Sequence, residues 1–180
     1  NAITANGDGT YSLSMDNHED VTVTITYIET TYNISYNDPA NGAISLHDTT
    51  KEYQHDANFT VTPNDGYQIK SVVGTYTDEN GKQQTITFKA TPSDIVAGGI
   101  YTFTMPAANV SIVVEFEEIT YKVVTGSVTG QGEVRLNSTD TANITAKYGE
   151  TVKITATPKD GWYLKTLTVT NDTTAAEVPY

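Results

Sequence analysis

The sequence predicts an all-β protein made of tandem, small, antiparallel β-sandwich-like units of about 90 residues. Three observations predict this class: apolar and polar residues alternate along short runs, turn sequences separate the runs, and the chain repeats itself. Of the 180 residues, 32 are threonine and 12 are tyrosine, and β-branched and aromatic side chains favour a pleated surface. No run has the 3.6-residue apolar spacing of a helix over three turns.

Strand-like alternation is clearest around residue 112. Apolar residues at positions 110, 112, 114 and 116 would share one face of a strand, with Val113 on a partly covered outer face. The same alternation occurs at Val21, Val23, Ile25 and Tyr27, and again at Val152, Ile154 and Ala156.

Turn sequences separate these runs, and they lie at residues 37–42, 63–66, 78–81 and 158–161. Each ends in glycine after Asn or Asp, a pair that suits turns with positive φ. Asn80-Gly81, between two alternating runs, predicts a β-hairpin. The best helix candidate, residues 51–58, is too short and too polar, so each unit is expected to have six to eight short strands.

The internal repeat has three landmarks in the same order. Residues 11–15 and 21–25 resemble residues 101–105 and 110–114, and both sets run into a Thr-Tyr pair, at an offset of 89 or 90 residues. Residues 59–67 (FTVTPNDGY) resemble residues 154–162 (ITATPKDGW) at an offset of 95. Repeats at a fixed period indicate a tandem array of similar units.

The repeat predicts where the units lie. Residues 1–29 would be the C-terminal strands of a preceding unit, residues 30–119 a complete unit, and residues 120–180 the N-terminal part of a further unit. A frame shifted by about 30 residues, with units at 1–90 and 91–180, fits the same period.

Composition argues against several classes of function. The chain has 22 Asp and Glu against 10 Lys and Arg, a net charge of −12, and it lacks the clustered basic residues that bind nucleic acid or an anionic membrane surface. No apolar run approaches the roughly 18 residues of a transmembrane helix. Cysteine is absent, so disulfides and thiolate metal sites are not available.

Residues with catalytic or metal-binding chemistry are scattered. The three histidines have no metal-ligand spacing, and the acidic run 16–20 lacks the spacing of a calcium loop. The adjacent Glu117 and Glu118 would point to opposite faces of a strand, which does not suit paired catalytic carboxylates. We therefore predict no catalytic, cofactor-binding or metal-binding residue and no cofactor.

Two turns end in a Gly-aromatic pair, Gly66-Tyr67 and Gly161-Trp162. An aromatic side chain directly after a turn can fold back over the end of a sheet, so a core anchor is the preferred interpretation. The alternative is a platform on which a ligand stacks, with Trp162 as the candidate ligand-binding residue.

These landmarks resemble the divergent InlB B-repeat family of bacterial cell-surface repeats. The matching blocks are residues 42–45 (GAIS), 61–67 (VTPNDGY) and 103–116 (FTMPAANVSIVVEF), and residues 15–20 depart from the Met-Pro-Ala pattern expected there. The resemblance implies an extracellular, cell-wall or surface-associated bacterial protein whose repeats space or display other domains. It carries over no catalytic residues. A related repeat implies β-grasp-like units with one helix as the alternative architecture.

Two functions are compatible with these observations. The first is a non-catalytic spacer, a stalk that projects other domains from the cell wall and whose partners are neighbouring repeats of the same chain. The linker at residues 117–121 has no Gly or Pro, which favours semi-rigid stacking. The alternative is an adhesin-type module that binds a glycan or a host surface protein through aromatic side chains. Neither involves nucleic acid or membrane insertion of this segment.

Overall fold

The chain folds into strands and turns. The computed structural model describes residues 2–15, 20–137, 143–176 and 178, and these residues contain no helix, hence none long and apolar enough to cross a membrane. Their fifteen strands are β1 (Ala2–Ala5), β2 (Tyr11–Ser14), β3 (Thr31–Tyr36), β4 (Gly42–Leu46), β5 (Thr50–Glu52), β6 (Asp56–Pro63), β7 (Tyr67–Thr77), β8 (Gln83–Ile86), β9 (Lys89–Asp94), β10 (Gly98–Thr104), β11 (Val110–Glu118), β12 (Thr120–Val124), β13 (Gly132–Leu136), β14 (Asn143–Lys147) and β15 (Ile154–Pro158).

Nine of these strands, β3 to β11, form a central unit of two packed sheets. One sheet has the order β4-β6-β10-β9, and the other has the order β5-β3-β11-β7-β8. Only the β3–β11 pair of this unit is parallel, and the remaining pairs are antiparallel. The predicted hairpin is present between β7 and β8, where Thr77 pairs with Gln83 and Gly81 in the turn has a φ of 77°.

Alternate residues of the two sheets supply one core. Its buried members are Ile34, Ile44, Ala57, Phe59, Val61, Ile69, Phe103, Met105, Val110, Ile112 and Val114. Because successive side chains of a strand point to opposite faces, Val113 lies outside and is 42% exposed, as the alternation predicts. The ring of Phe59 stacks on Tyr101 at a centroid distance of 5.4 Å and meets Phe88 and Phe103 edge-on.

Two asparagine side chains hold the parallel pair in register. At one end, Asn109 Oδ1 accepts from the Asn33 N–H at 2.8 Å. At the other end, the Asn37 side chain accepts from the Val114 N–H at 2.9 Å and donates to the Val114 C=O at 3.1 Å. The Asn37 N–H donates to the Ile112 C=O at 3.1 Å. The side chain of Asn37 thereby extends the pairing beyond the last residue of β3.

Strands β12 to β15 reproduce the first strands of the central unit. β12 pairs with β14 as β3 pairs with β5, and β13 pairs with β15 as β4 pairs with β6. Within the described residues each pair stands as a two-stranded sheet. Leu136 and Ala146 are buried, whereas Leu164, the counterpart of the buried Ile69, is 53% exposed.

Residues 2–28 correspond in sequence to the last strands of a unit. β1 and β2 form a hairpin in which Ala2 pairs with Ser14. The strand that alternation predicts at residues 21–27 is absent, which corrects that expectation. In the central unit, the counterpart of residues 21–27 is β11, which lies between its partner strands β3 and β7. No strand of the described residues pairs with residues 21–27. An apolar alternation without partner strands does not form a sheet.

The all-β, sandwich-like class is confirmed, with two corrections. The central unit has nine strands rather than six to eight, because residues 51–58 form parts of β5 and β6 and residues 83–94 add two further short strands. One strand pair is parallel. The β-grasp alternative needs a helix, which the described residues lack. The unit boundaries at 1–29, 30–119 and 120–180, or at 1–90 and 91–180, stay a prediction.

Candidate functional site: the Gly-aromatic turns

The two Gly-aromatic turns have the same backbone geometry. In each, the N–H of the aromatic residue donates to the C=O three residues earlier, at 3.0 Å for Tyr67 and 2.9 Å for Trp162. Gly66 and Gly161 have φ values of 82° and 81°, which glycine adopts without the steric cost that other residues meet. The turns differ in what lies against them.

The Gly66 turn contacts the segment that follows β11. Ile119 alone separates β11 from β12; its N–H donates to the Gly66 C=O at 2.8 Å, and its C=O accepts from the Tyr148 N–H at 3.4 Å. A Cβ at position 66 would lie 3.0 Å from the Tyr148 side chain. Glu118 and Lys147 form an ion pair at 2.6 Å, and the hydrogen bond to Glu118, followed by its charge, raises the pKa of Lys147. This contact surface is called the junction below.

A small cavity of about 190 Å³ lies at the junction. It is lined by Pro63, Asn64, Asp65, Gly66, Tyr67, Val96, Ile119, Tyr121 and Tyr148. Tyr67 is half-buried here and is not among the side chains of the central core. The core-anchor interpretation is therefore wrong for Tyr67, because its turn faces the neighbouring segment and not the space between the sheets.

Trp162 lies in an open groove of about 590 Å³. The groove is lined by residues 127–134, 156–158 and 161–166. The indole ring lies against Gly130, where a Cβ would be 3.0 Å from Cζ3. The side chain of Trp162 is 54% exposed, and Tyr163 beside it is 81% exposed. The core-anchor interpretation is therefore wrong for Trp162 as well. A Cβ at Gly161 would meet nothing within 4 Å, so none of the described residues covers this turn as Tyr148 covers Gly66.

The groove presents exposed aromatic side chains that are suited to contact. An exposed indole and phenol offer flat apolar surface together with hydrogen-bond donors, a combination that stacks on rings or packs against another protein. The charged groups of the lining are Glu133 and Lys165. Glu133 is already paired with Arg135 at 2.7 Å.

The structure does not bring the remaining candidate groups together. His47 lies 3.0 Å from a threonine hydroxyl, and His55 lies 3.3 Å from the Glu29 carboxylate. In the part of the chain that the structure describes, no three metal-ligating side chains form a cluster. Residues 16–19, which include His18 and most of the acidic run, lie outside the described residues.

Sequence reasoning missed Tyr148 as a contact residue of the junction. A signal was available, because Tyr53 and Tyr148 occupy equivalent positions. Tyr53 directly follows β5, which pairs with β3, and Tyr148 directly follows β14, which pairs with β12. A tyrosine repeated outside the alternating runs can mark a contact between units and not a core position.

Comparison with known proteins adds the family. The model of the divergent InlB B-repeat domain matches residues 32–98 and 122–179, two segments that begin 90 residues apart and together span more than half of the chain. The chain has no significant match among the curated proteins or among the solved structures. On the strength of these two matches, the chain belongs to the divergent InlB B-repeat domain family.

Proposed function

We propose that this chain is a non-catalytic spacer region of a bacterial cell-surface protein, which projects other domains from the cell wall into the extracellular space. Membership of the family indicates a repeat domain of a bacterial surface protein. The observation that supports the spacer role is the junction, where Ile119 and Tyr148 contact the Gly66 turn.

A spacer keeps its length only if consecutive units hold a fixed angle. β11 continues into β12 across Ile119 without Gly or Pro, so the backbone offers little freedom to bend. Both backbone groups of Ile119 are hydrogen-bonded across the junction. Bending there would break two hydrogen bonds of about 1 kcal/mol each and separate Tyr148 from the turn. These contacts support a semi-rigid rod.

Small-angle scattering of the monomeric chain tests this proposal. We expect an elongated particle with one dominant maximum dimension. Inserting Gly-Gly-Ser after Ile119 should broaden the distribution of dimensions, because it uncouples the two sides of the junction. The same insertion after Asn80, in the exposed β7–β8 turn, is the matched control and should leave the distribution unchanged. A compact particle, or equal effects of the two insertions, would contradict the spacer role.

The exposed groove favours a second candidate function, an adhesin-type module that binds a glycan or a host surface protein. Trp162 would then be the contact residue. A glycan array and a panel of host matrix proteins would be probed with the chain, with Trp162→Ala, and with Tyr36→Ala, which removes a 47% exposed ring elsewhere. Saturable binding that only Trp162→Ala abolishes would support the adhesin. Absence of binding by the folded chain would contradict it.

A further inference from the structure

The cavity at the junction has a lining that the spacer function does not use. Three of its lining residues are tyrosines, and Asp65 adds a carboxylate. We propose that this cavity binds the quaternary ammonium group of a small molecule of the choline type, between the rings of Tyr67, Tyr121 and Tyr148 and beside the charge of Asp65. The inference goes beyond the spacer function, and it concerns a different place from the Trp162 groove.

Backbone hydrogen bonds hold the walls of the cavity in place. On one side, the turn before β7 is closed by the Tyr67 N–H, which donates to the Asn64 C=O at 3.0 Å. On the other side, Ile119 bonds both to the Gly66 C=O and to the Tyr148 N–H. The Tyr148 side chain packs on Gly66, where an added Cβ would lie 3.0 Å from it. The same contacts that form the junction therefore position two of the rings.

The three tyrosine rings leave the space between them open. Ring-to-ring contacts among the described residues all lie in the central core, between Phe59, Phe88, Tyr101 and Phe103. None of them involves a ring of the junction, so the faces of these rings are not used by another aromatic side chain. An aromatic face carries negative partial charge, and a cation within about 6 Å of the ring centroid is attracted to it.

Asp65 gives the cavity a negative charge that no described cation balances. Its side chain is exposed, and the salt bridges of the described residues do not include it. The residues that line the cavity include no lysine or arginine. Lys147, which precedes Tyr148, is paired with Glu118 at 2.6 Å, so its charge is already balanced. The cavity therefore offers an unpaired carboxylate together with ring faces to an incoming cation.

Size and chemistry favour a quaternary ammonium group over other ligands. The volume of about 190 Å³ lies below the roughly 300–1,000 Å³ of pockets for drug-sized molecules, so a headgroup of a few atoms fits. A calcium ion takes six to eight oxygen ligands, whereas this lining has one carboxylate. An anion would be repelled by Asp65 and by the ring faces. A quaternary ammonium group has no N–H to satisfy, and ring faces are the surface that recognises it.

The accessibility of these rings does not come from the smaller number of strands after β11. Tyr53, the counterpart of Tyr148, belongs to the central unit with its two packed sheets, and it is still 51% exposed, against 58% for Tyr148. Tyr32, the counterpart of Tyr121, packs against the central core and is still partly exposed. Further strands beside β12 would therefore cover one side of Tyr121 and leave Tyr148 at the cavity.

Titration of the unmodified chain with tetramethylammonium and with choline tests the binding. At constant ionic strength, we expect saturable shifts of the backbone amide resonances of residues 64–67 and 147–148. Dimethylbutanol, the uncharged carbon analogue of choline, is the matched control ligand and should bind at least about 10-fold more weakly, because it lacks the charge that the rings and Asp65 attract. Equal binding of the analogue, or no saturation by either cation up to about 100 mM, would overturn the proposal.

Variants with matched controls test the position of the site. Tyr148→Leu keeps an apolar side chain but removes a ring face, and it should raise the Kd for choline by about 3–10-fold. Tyr53→Leu makes the same change at the equivalent position of the central unit and should leave the Kd unchanged. Asp65→Asn should raise the Kd to a similar extent, whereas Asp160→Asn, at the counterpart in the Gly161 turn, should not. Equal effects within either pair would overturn the assignment to the junction.

The comparison of choline with its uncharged analogue uses the unmodified chain, so it decides the question even where a variant fails to fold. A peptide that contains trimethyllysine carries the same cationic group on a protein chain. Tighter binding of this peptide than of choline would overturn the assignment to a small molecule. Failure of every cation to bind would leave the spacer function in place, because the hydrogen bonds of the junction do not require an occupant of the cavity.

Discussion

Asn37 provides a direct test of how the central unit holds its parallel strands. β3 ends at Tyr36, so its strand backbone does not reach Val114. The Asn37 side chain takes its place, accepting from the Val114 N–H at 2.9 Å and donating to the Val114 C=O at 3.1 Å. Asn37→Ala removes both bonds and leaves the bond from the Asn37 N–H to Ile112 in place.

The expected loss of stability follows from these two bonds. Each contributes about 1 kcal/mol, and leaving the Val114 N–H and C=O without a protein partner at a part-buried position adds about 1–2 kcal/mol. We therefore expect Asn37→Ala to lower the free energy of unfolding of the central unit by about 3–4 kcal/mol. Asn80→Ala is the control, because this asparagine is exposed in a turn and its removal should cost no more than about 0.5 kcal/mol.

Urea unfolding would be followed by the near-ultraviolet circular dichroism of tyrosine. The fluorescence of Trp162, the single tryptophan, would report on the C-terminal segment instead of the central unit. Hydrogen exchange of the β3 amides gives a second, local measurement of the same change. Equal unfolding midpoints for Asn37→Ala and Asn80→Ala would refute the assignment of the Asn37 bonds as the clamp of the parallel pair.

Three further predictions concern turns and close approaches. The pKa of Asp78 lies below its ordinary value of 3.8 because Gln84 and two backbone N–H groups donate to it. The stabilisation that the ionised Asp78 gives the hairpin is therefore present above pH 3.8, and it is lost as the pH falls through the lower pKa of the folded state. Hydrogen exchange of the β7–β8 hairpin in acid should show this loss, and Asp78→Asn should remove the pH dependence. Gly66→Ala would hold an alanine at positive φ, which costs about 1–2 kcal/mol, and its Cβ would crowd the Tyr148 side chain. Thermal unfolding should therefore show a larger loss of stability than for Gly81→Ala, whose Cβ would meet nothing within 4 Å. Gly42→Ala would displace the Phe116 ring and should lower the free energy of unfolding in urea by about 1–3 kcal/mol. Gly126→Ala is the control and should lower it far less, because its Cβ enters open space. Equal losses of stability would contradict the ring contact.

Local signals in the sequence predict much of the central unit. Alternation at residues 110–116 identified the buried face of β11, because the side-chain period of a strand is fixed by backbone geometry. The Asn80-Gly81 pair identified the hairpin, because few residues adopt positive φ. Both signals act over a few neighbouring residues, and the structure confirms both.

Pairing between distant residues could not be predicted in the same way. Residues 21–27 alternate as residues 110–116 do, yet they form no strand, because a strand needs partners on its edges. The parallel partner of β11 depends on side chains such as Asn37, which no local pattern distinguishes from other turn asparagines.

The candidate site shows the same limit. Residue type and turn position identified Trp162 as a residue of interest, but its exposure depends on what lies against Gly161. That contact is not encoded within the turn itself. Since the equivalent Gly66 turn is covered by Tyr148, identical local geometry gives a junction in one place and an open groove in the other.

The order of strands in the five-stranded sheet also determines how the central unit responds to force. The chain enters this unit through β3 and leaves through β11, and the two strands are parallel neighbours. Tension along the chain pulls the start of β3 and the end of β11 apart along the strand axes. The hydrogen bonds between the strands, with those of Asn37 and Asn109, then share the load in shear. In a hairpin pulled from its open end, the same bonds would break one after another. The unit therefore resists stretching until the whole row of bonds yields.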